Sequence, residues 1–418
     1  MRLKTLLNKC YSFKSFVYKN ARIEGSDEVI VKVDPRKNSK PICGECHHPG
    51  TVYDRQPERR FEFIPIWGFH VYLSYAPRRV DCRRCGSVVT EAMPWAEGKR
   101  RQTLPLLAFL ASWAEEIPWQ RVATRFRTSW QSVYRAVEWV VAYGLSSREL
   151  GDVEAIGVDE IKYLKGHKYL TVVYQLDAGC RRLLWVGRDR TKKCFEQFFA
   201  EMENLNAGFC QGIRFICSDM WKAYLKVAAK RIPQAVHVLD RFHIRKQFSD
   251  AVDKTRRQEA SRLKKTGKEP VLAKSRWCFL KKRGCLTRKQ RSKLKELLGM
   301  NLRTVKAYLL TEEFEHFWTY KSVTWAKKFL AQWTRKTMYS KIEPMKGVAK
   351  MLRRHEELIL NWFRARGEIS NGISEGFNTN AKLAFRKARG FRSESVVKTA
   401  LYHQLGKLPK PTFEHDFW

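Results

Sequence analysis

Two aspartates in this chain have the side chain and the location typical of metal-dependent phosphoryl transfer. Asp159 stands near the end of a predicted strand, in Ile-Gly-Val-Asp-Glu, and Asp219 directly follows another, in Phe-Ile-Cys-Ser-Asp. Mg²⁺ prefers carboxylate oxygens, and two ions about 3.5 to 4 Å apart hold the attacking and leaving oxygens of an in-line displacement. A single acidic residue at a strand end is more often a solvated turn or a helix cap. The pair therefore predicts a site for two Mg²⁺ ions, with Mn²⁺ as an alternative.

Two neighbouring acidic residues have roles that the sequence leaves open. Asp240 ends another predicted strand and is interpreted as a helix cap, as a support for the site or as an alternative second carboxylate. Glu160 is predicted to point to the opposite sheet face from Asp159, because side chains alternate along a strand.

Four of the eleven cysteines form two Cys-x-x-Cys pairs, Cys43 with Cys46 and Cys82 with Cys85. Two such pairs predict a structural Zn²⁺ site, because each pair supplies two thiolates to a tetrahedral shell. The alternative is that these thiols are reduced and hold no metal. The two histidines that follow the first pair are interpreted as solvated or phosphate-contacting side chains rather than replacement ligands.

The elements that position the aspartates are predicted from changes in hydrophobic period after residue 150. Strands are predicted at 153–161, 169–176, 182–186, 213–217 and 236–239, with helices at 191–204 and 221–230. Three antiparallel strands followed by right-handed crossovers place the fourth strand beside the first. This topology brings Asp159 and Asp219 together.

A helical hairpin is predicted at 117–141, with Ser129 as the N-cap of its second helix and Trp130 facing inward. Its polar outer face is typical of a helix-turn-helix, although any helical hairpin in a bundle shows a similar pattern. Base reading is assigned to three residues of the second helix and phosphate contact to Arg121 and Arg125, and Arg127 in the break is a further DNA-binding candidate. These DNA-binding candidates are Gln131, Ser132 and Arg135, and Arg121, Arg125 and Arg127.

The charge of the chain points to a polyanionic partner. The formal net charge is +39, from 81 Lys and Arg against 42 Asp and Glu. Nucleic acid fits because each neutralised phosphate releases counterions, whereas binding to an anionic membrane normally needs an amphipathic or lipidated anchor. The first residues lack a signal-peptide core and the longest apolar run, 104–113, is too short to span a bilayer. An intracellular protein without a membrane partner is expected.

Residues 249–366 read as a basic helical insertion whose role is open. The segment 241–290, which overlaps the start of this insertion, holds 17 Lys and Arg against four Asp and Glu. Trp318, Trp325, Phe329 and Trp333 recur there at near-helical spacing. A buried core stripe is the favoured interpretation, and stacking on unpaired bases is the alternative.

Several motifs occur in a fixed order along the chain. They are Gly-Val-Asp-Glu at 157–160 with Lys-Gly-His at 165–167, Ser-Asp-Met-Trp at 218–221, Asp-Arg-Phe-His at 240–243, Ser-Asn-Gly at 370–372 and Glu-Gly at 375–376, followed by Asn378, Lys382, Arg386 and Gly390. This series resembles the bacterial insertion-sequence transposases of the ISL3 family. Together with the order of the modules, the resemblance covers nearly the whole chain.

The resemblance implies a DDE triad of Asp159, Asp219 and Glu375 that binds two Mg²⁺, strand cleavage followed by strand transfer, and terminal inverted repeats and target DNA as the partners. It implies supporting roles for Asp240 and His243. Glu375, Asn378 and Lys382 share one helical face, as a metal ligand beside phosphate-contacting groups would; Arg386 is added to these DNA contacts. A homodimer or higher oligomer on DNA and a cytoplasmic, nucleoid-associated bacterial protein are expected.

The predicted fold class is α/β and multidomain, with an RNase H-like mixed five-stranded sheet interrupted by an all-helical insertion. The predicted domains are a zinc ribbon at 1–100, a helix-turn-helix at 101–148, a catalytic core at 149–248, the insertion at 249–366, and the last core helix with the tail at 367–418. Two functional alternatives stay open at this point. One is an inactive transposase-derived DNA-binding regulator, and the other is an RNase H-like structure-selective nuclease.

Overall fold

A computed structural model describes residues 3–164, 168–365, 376, 379 and 393–413. The chain divides into two compact units, 1–149 with 380–418, and 150–379. Both contain strands and helices, so the mixed α/β class is confirmed. Four predicted site residues, Glu375, Asn378, Lys382 and Arg386, lie outside the described residues.

The elements are numbered in chain order. The strands are β1 Phe16–Glu24, β2 Glu28–Pro35, β3 Thr51–Arg55, β4 Arg59–Ile66, β5 Phe69–Tyr75, β6 Arg78–Cys82, β7 Ser87–Thr90, β8 Ala155–Leu164, β9 Lys168–Gln175, β10 Arg182–Arg188, β11 Phe215–Ser218 and β12 Val236–Leu239. The described helices are α1 Leu3–Cys10, α2 Leu104–Glu116, α3 Trp119–Arg125, α4 Trp130–Ser147, α5 Lys192–Leu205, α6 Phe209–Gly212, α7 Lys222–Arg231, α8 Arg241–Lys265, α9 Arg276–Leu280, α10 Arg288–Leu298, α11 Arg303–Glu315, α12 Val323–Met338, α13 Glu343–Arg354, α14 Glu356–Arg364 and α15 Glu394–Leu405.

Two sheets form the β part of the first unit. The larger has the strand order β1-β2-β5-β4, and its inner face surrounds the fully buried Trp95. Phe13, Phe16 and Tyr75 meet the Trp95 ring with centroids 5.1, 4.8 and 5.4 Å away. Such tilted and edge-to-face contacts add to the burial of large apolar surfaces. The smaller sheet, β3-β6-β7, carries the second cysteine pair at one end.

The described helices α2, α3, α4 and α15 pack together in the first unit around a core of their own. The Thr103 side chain accepts a hydrogen bond from the Leu106 amide and starts α2, and Ser129 caps α4 in the same way through the Ser132 amide. The predicted Ser129 cap is confirmed. On α4, Gly144 allows the C-terminal segment to approach closely, because an added Cβ would lie 2.6 Å from the Leu408 Cβ.

The second unit contains a five-stranded sheet of order β10-β9-β8-β11-β12. β8, β9 and β10 are antiparallel neighbours, and β11 pairs in parallel with both β8 and β12. The predicted position of the fourth strand beside the first is therefore confirmed. A core of aliphatic and aromatic side chains from one sheet face, α5 and α7 holds these elements together.

Residues 241–365 are helical and share one hydrophobic core. Trp333 is fully buried there, and its indole N–H donates to the Leu310 carbonyl at 2.9 Å. Trp318 is also buried, but Trp325 is 59% exposed and lies under the Lys328 ammonium. The predicted buried stripe is thus wrong at Trp325, because near-helical spacing does not fix which residues face the core.

None of the described helices combines the length and the apolar character needed to cross a bilayer.

Candidate active site and metal centre

The register of the central strands places Asp159 and Asp219 at the same level of the sheet. Gly157 of β8 is paired with Cys217 of β11 in a parallel ladder. Asp159 stands two residues beyond Gly157 within β8, and Asp219 stands two residues beyond Cys217, just past the end of β11, so both lie at the same edge of the sheet. The two side chains are half-buried. The carboxyl ends of adjacent strands thus bring together residues 60 positions apart in sequence.

Asp240 joins the same edge from the next strand. Ser218 is paired with Leu239 in the parallel ladder of β11 and β12, and the Asp240 amide donates to the Ser218 carbonyl at 2.8 Å. The pKa of the buried Cys217 thiol is raised by burial first, and then by the nearby charges of Asp240 and Asp159. Both carboxylates therefore lie close to this thiol.

Asp240 is itself a helix cap. Its side chain accepts a hydrogen bond from the Phe242 amide at 2.7 Å and starts α8, and it is only 7% exposed. His243, one turn into the helix, approaches the Asp240 carboxylate to 3.8 Å. Of the three roles left open by the sequence, the cap is observed, and a supporting role is compatible with it.

Burial and crowding act on the Asp219 carboxyl. The pKa of this carboxyl is raised overall, first by burial, whereas the Trp221 amide that donates to it at 2.9 Å and the neighbouring His243 lower the pKa. The Asp159 charge raises it again. A bound cation would relieve both the desolvation and the repulsion, and the oxygen donors are those that Mg²⁺ prefers.

Glu160 lies on the face covered by α7, as predicted from strand alternation. The Tyr224 hydroxyl donates to its carboxylate at 3.2 Å, and Arg190 approaches the other carboxylate oxygen to 3.4 Å. Burial raises the pKa of Glu160, and the Asp219 charge raises it further. Asp159 itself accepts from the Glu160 amide at 2.7 Å, which orients its carboxylate.

A buried histidine beneath the site was not found from the sequence. His237 of β12 shares a 2.8 Å hydrogen bond with the Ser218 hydroxyl, which also donates to the Asp219 carbonyl at 2.9 Å. Burial lowers the pKa of His237 to about 4, so the ring is neutral at pH 7. The Asn361 amide donates to the His237 carbonyl. A lone histidine within an apolar strand carries no sequence signal for such a link.

The four cysteines of the two pairs form a compact cluster. All their sulfur atoms lie within 4.8 Å of one another, with Cys43 3.9 Å from Cys85 and Cys46 3.5 Å from Cys82. This set suits a tetrahedral Zn²⁺ with four thiolates. Among the described residues, it is the one group of three or more candidate ligands close enough to share an ion.

Each cysteine pair sits on a tight turn that ends in a left-handed residue, His47 at φ 56° and Gly86 at φ 65°. Backbone N–H groups of Cys46 and Glu45 lower the pKa of the Cys43 thiol to about 7, which favours the thiolate that a metal requires. Gly44, the residue after Cys43, is required sterically, because a Cβ there would lie 2.4 Å from the Thr90 carbonyl oxygen.

A buried ion pair fixes the cysteine cluster to the larger sheet. Glu91 is paired with Cys43 by a backbone bridge, and its carboxylate accepts from Arg78 Nη2 at 2.7 Å and Nε at 2.8 Å. It also accepts from the Arg78 amide and the Tyr75 hydroxyl. Both charged side chains are at most 5% exposed. Sequence reasoning missed this pair, because nothing local marks two charges as buried.

The helix-turn-helix candidates lie on the surface of α3, α4 and their connection. The exposed members are Arg121, Arg125, Arg127, Gln131 and Arg135, and Ser132 is half-buried. Arg127 pairs with Asp27 at 2.9 Å. Trp130 was predicted to face inward, but it is 38% exposed and stacks on Tyr134 with ring centroids 5.7 Å apart. The first position of a helix projects past the hairpin core, so the inward stripe begins at Val133.

Comparisons with known proteins agree on one class. The profile of the DDE transposase family ISL3 matches residues 156–400. The chain is 28% identical to the transposase for insertion sequence element IS1001 of Bordetella parapertussis, over 84% of this chain and 86% of that protein. It is 28% identical to the transposase for IS1557 of Mycobacterium tuberculosis, over 93% and 91%. A Drosophila P element transposase strand transfer complex aligns at 11% identity over 72% of this chain and 91% of that one, with a TM-score of 0.38.

Proposed function

The chain belongs to the ISL3 family of DDE transposases, enzymes that cleave and transfer DNA strands, and we propose that Asp159, Asp219 and Glu375 are its catalytic metal ligands. The family implies a divalent metal. The observation that carries the proposal is the parallel pairing of β8 with β11, because it puts Asp159 of β8 and Asp219, the residue after β11, at the same edge of the sheet. Glu375 rests on the family motif. Two Mg²⁺ ions would supply charge neutralisation for the attacking and leaving oxygens, with Mn²⁺ as a substitute.

The chain's own residues orient these carboxylates. The Glu160 amide holds Asp159, and the Trp221 amide holds Asp219. Asp240 fixes the start of α8, and the ring of His243 lies beside the Asp240 carboxylate. We assign both residues a positioning role, because neither a helix cap nor its neighbour needs to touch the reacting phosphate.

The domain layout is part of the proposal. The strand order β10-β9-β8-β11-β12 supports an RNase H-like core in 149–248 that is completed by 367–418, with 249–366 as a helical insertion. The cysteine cluster supports a zinc ribbon in 1–100 with one Zn²⁺. The exposed polar face of α3 and α4 supports a helix-turn-helix in 101–148.

Double-stranded DNA is the proposed substrate, in the form of terminal inverted repeats and a target. The net charge of +39 supports a partner with many phosphates. End recognition is assigned to the base-reading residues of α4, and the family motif that contains Glu375 would contact DNA through Asn378, Lys382 and Arg386. We further propose that the protein acts as a dimer or higher oligomer on DNA at the bacterial nucleoid.

The test is cleavage and joining of duplexes that carry the inverted repeats flanking the gene. Asp159→Asn and Glu375→Gln should each abolish Mg²⁺-dependent nicking while end binding persists, because each change removes a metal ligand without altering the recognition modules. Glu154→Gln is the matched control, since Glu154 is half exposed and pairs with Arg214 at the opposite end of the same strands. Activity of Asp159→Asn equal to wild type would reject the assignment. Cleavage without joined products would indicate a nuclease instead.

A further inference from the structure

An arginine outside the family motifs is held at the edge of the sheet that carries the aspartates. Arg190 follows β10, and its guanidinium carbon lies over two aromatic rings, 4.7 Å from the Tyr169 centroid and 4.9 Å from the Trp221 centroid. Rings attract a cation placed over their faces. The Trp221 indole N–H also donates to the Arg190 carbonyl at 3.2 Å. Both the backbone and the side chain of Arg190 are thereby fixed.

The same contacts place Arg190 beside the proposed catalytic residues. The amide of Trp221 donates to the Asp219 carboxylate, so the indole under the guanidinium belongs to the turn that orients this aspartate. On its other side, Arg190 Nη1 lies 3.4 Å from Glu160, the residue after Asp159.

This arrangement differs from that of a structural arginine in the same chain. Arg78 is 5% exposed and contacts Glu91 through two nitrogens at 2.7 and 2.8 Å. Arg190 is 44% exposed, and its 3.4 Å contact is longer than the 2.7 to 2.9 Å usual for charge-assisted hydrogen bonds. A guanidinium that is fixed by rings, loosely paired and open to solvent is suited to an anionic ligand.

We propose that Arg190, held by Tyr169 and Trp221, binds a phosphodiester that flanks the scissile bond of the DNA. This inference rests on the proposed function, which puts DNA at this edge. The planar guanidinium contacts two non-bridging phosphate oxygens at once, which positions the strand without reading its sequence. Arg190 is then a substrate-binding residue in addition to the three carboxylates.

The experiment measures binding in Ca²⁺, which replaces Mg²⁺ so that the DNA stays uncut. The probes are inverted-repeat duplexes cut in advance at the element end, in which one phosphate at a time near the end is replaced by a neutral methylphosphonate. Arg190→Ala, Arg190→Lys and the control Arg214→Ala are compared with wild type. Arg214 also contacts a ring and a glutamate, Phe215 and Glu154, but it precedes β11 and lies at its opposite end.

Arg190→Ala should weaken binding of the unmodified duplex about tenfold and reduce the slope of log affinity against log salt by roughly 1, as expected for one lost phosphate contact. On the duplex whose contacted phosphate is neutral, Arg190→Ala and wild type should bind with equal affinity. Arg190→Lys should lose less affinity, because it keeps the charge but not the paired donors, and it serves if Arg190→Ala does not fold. Arg214→Ala should leave the pattern of the phosphate scan unchanged.

The proposal would be overturned if Arg190→Ala lost the same binding affinity on every duplex of the phosphate scan, or if it lost none. Because this readout is binding, it does not depend on cleavage. Failure of the proposed function would appear separately, as wild-type protein that leaves the ends uncut in Mg²⁺.

Discussion

Replacing Glu91 by glutamine tests how strongly the buried ion pair stabilises the cysteine-bearing unit. The change keeps the volume and the hydrogen bond from the Tyr75 hydroxyl, but it leaves the Arg78 guanidinium without a counter-charge at 5% exposure. An isolated buried charge is costly, because the interior replaces little of the hydration that the ion loses.

The expected loss is about 3 to 5 kcal/mol of unfolding free energy, the range for breaking a buried pair by removing one partner. We expect a loss near the upper end of this range, because Glu91 is fully buried and accepts four hydrogen bonds from Tyr75 and Arg78. Arg78→Met should cost a similar amount. The double variant should cost less than the sum by at least about 2 kcal/mol, since no unpaired charge remains.

Urea denaturation of the full chain, with hydrogen exchange read at the amides of 43–91, measures these losses and assigns them to the unit. Asp54→Asn is the matched control, because its partner Arg79 pairs with it on the surface at about 40% exposure, where pairs contribute at most about 1 kcal/mol. If Glu91→Gln costs no more than Asp54→Asn, or if the two changes at the buried pair are additive, the reasoning from burial is refuted.

Three further outcomes are expected. Cys82→Ala should lower bound zinc, read by atomic emission, from about one ion per chain to none, while Cys278→Ala should retain it. Burial lowers the pKa of His403 to about 4. Because this folded pKa lies below the ordinary 6.5, burial of the neutral ring stabilises the fold fully above pH 6.5, and up to about 3 kcal/mol of this stability is lost as the pH falls toward 4. His403→Gln should therefore reduce the change of the urea midpoint between pH 7.5 and pH 5. A pH dependence equal to that of wild type would contradict this. Trp333→Ala should cost about 3 to 5 kcal/mol by urea denaturation and the exposed Trp325→Ala under about 0.5, so equal losses would contradict the packing.

Local sequence patterns predicted the elements of the second unit well. The five strands and two helices after residue 150 lie within a few residues of their predicted positions, because alternation and turn residues act over short distances. The adjacency of β8 and β11 followed from the handedness of crossovers. The cysteine pairs also predicted a cluster, since each pair is a short turn with its own geometry.

What required the tertiary structure was the environment of individual side chains. Trp130 and Trp325 continue apolar patterns but are exposed. The spacing of apolar residues did not predict this, because it does not show where a neighbouring element ends. The contacts of Arg190 with Tyr169 and Trp221, and of Glu91 with Arg78, join residues from separate elements. Burial and the distance between charges depend on how these elements pack, so only the folded chain decides which charges are paired, buried or left open to a ligand.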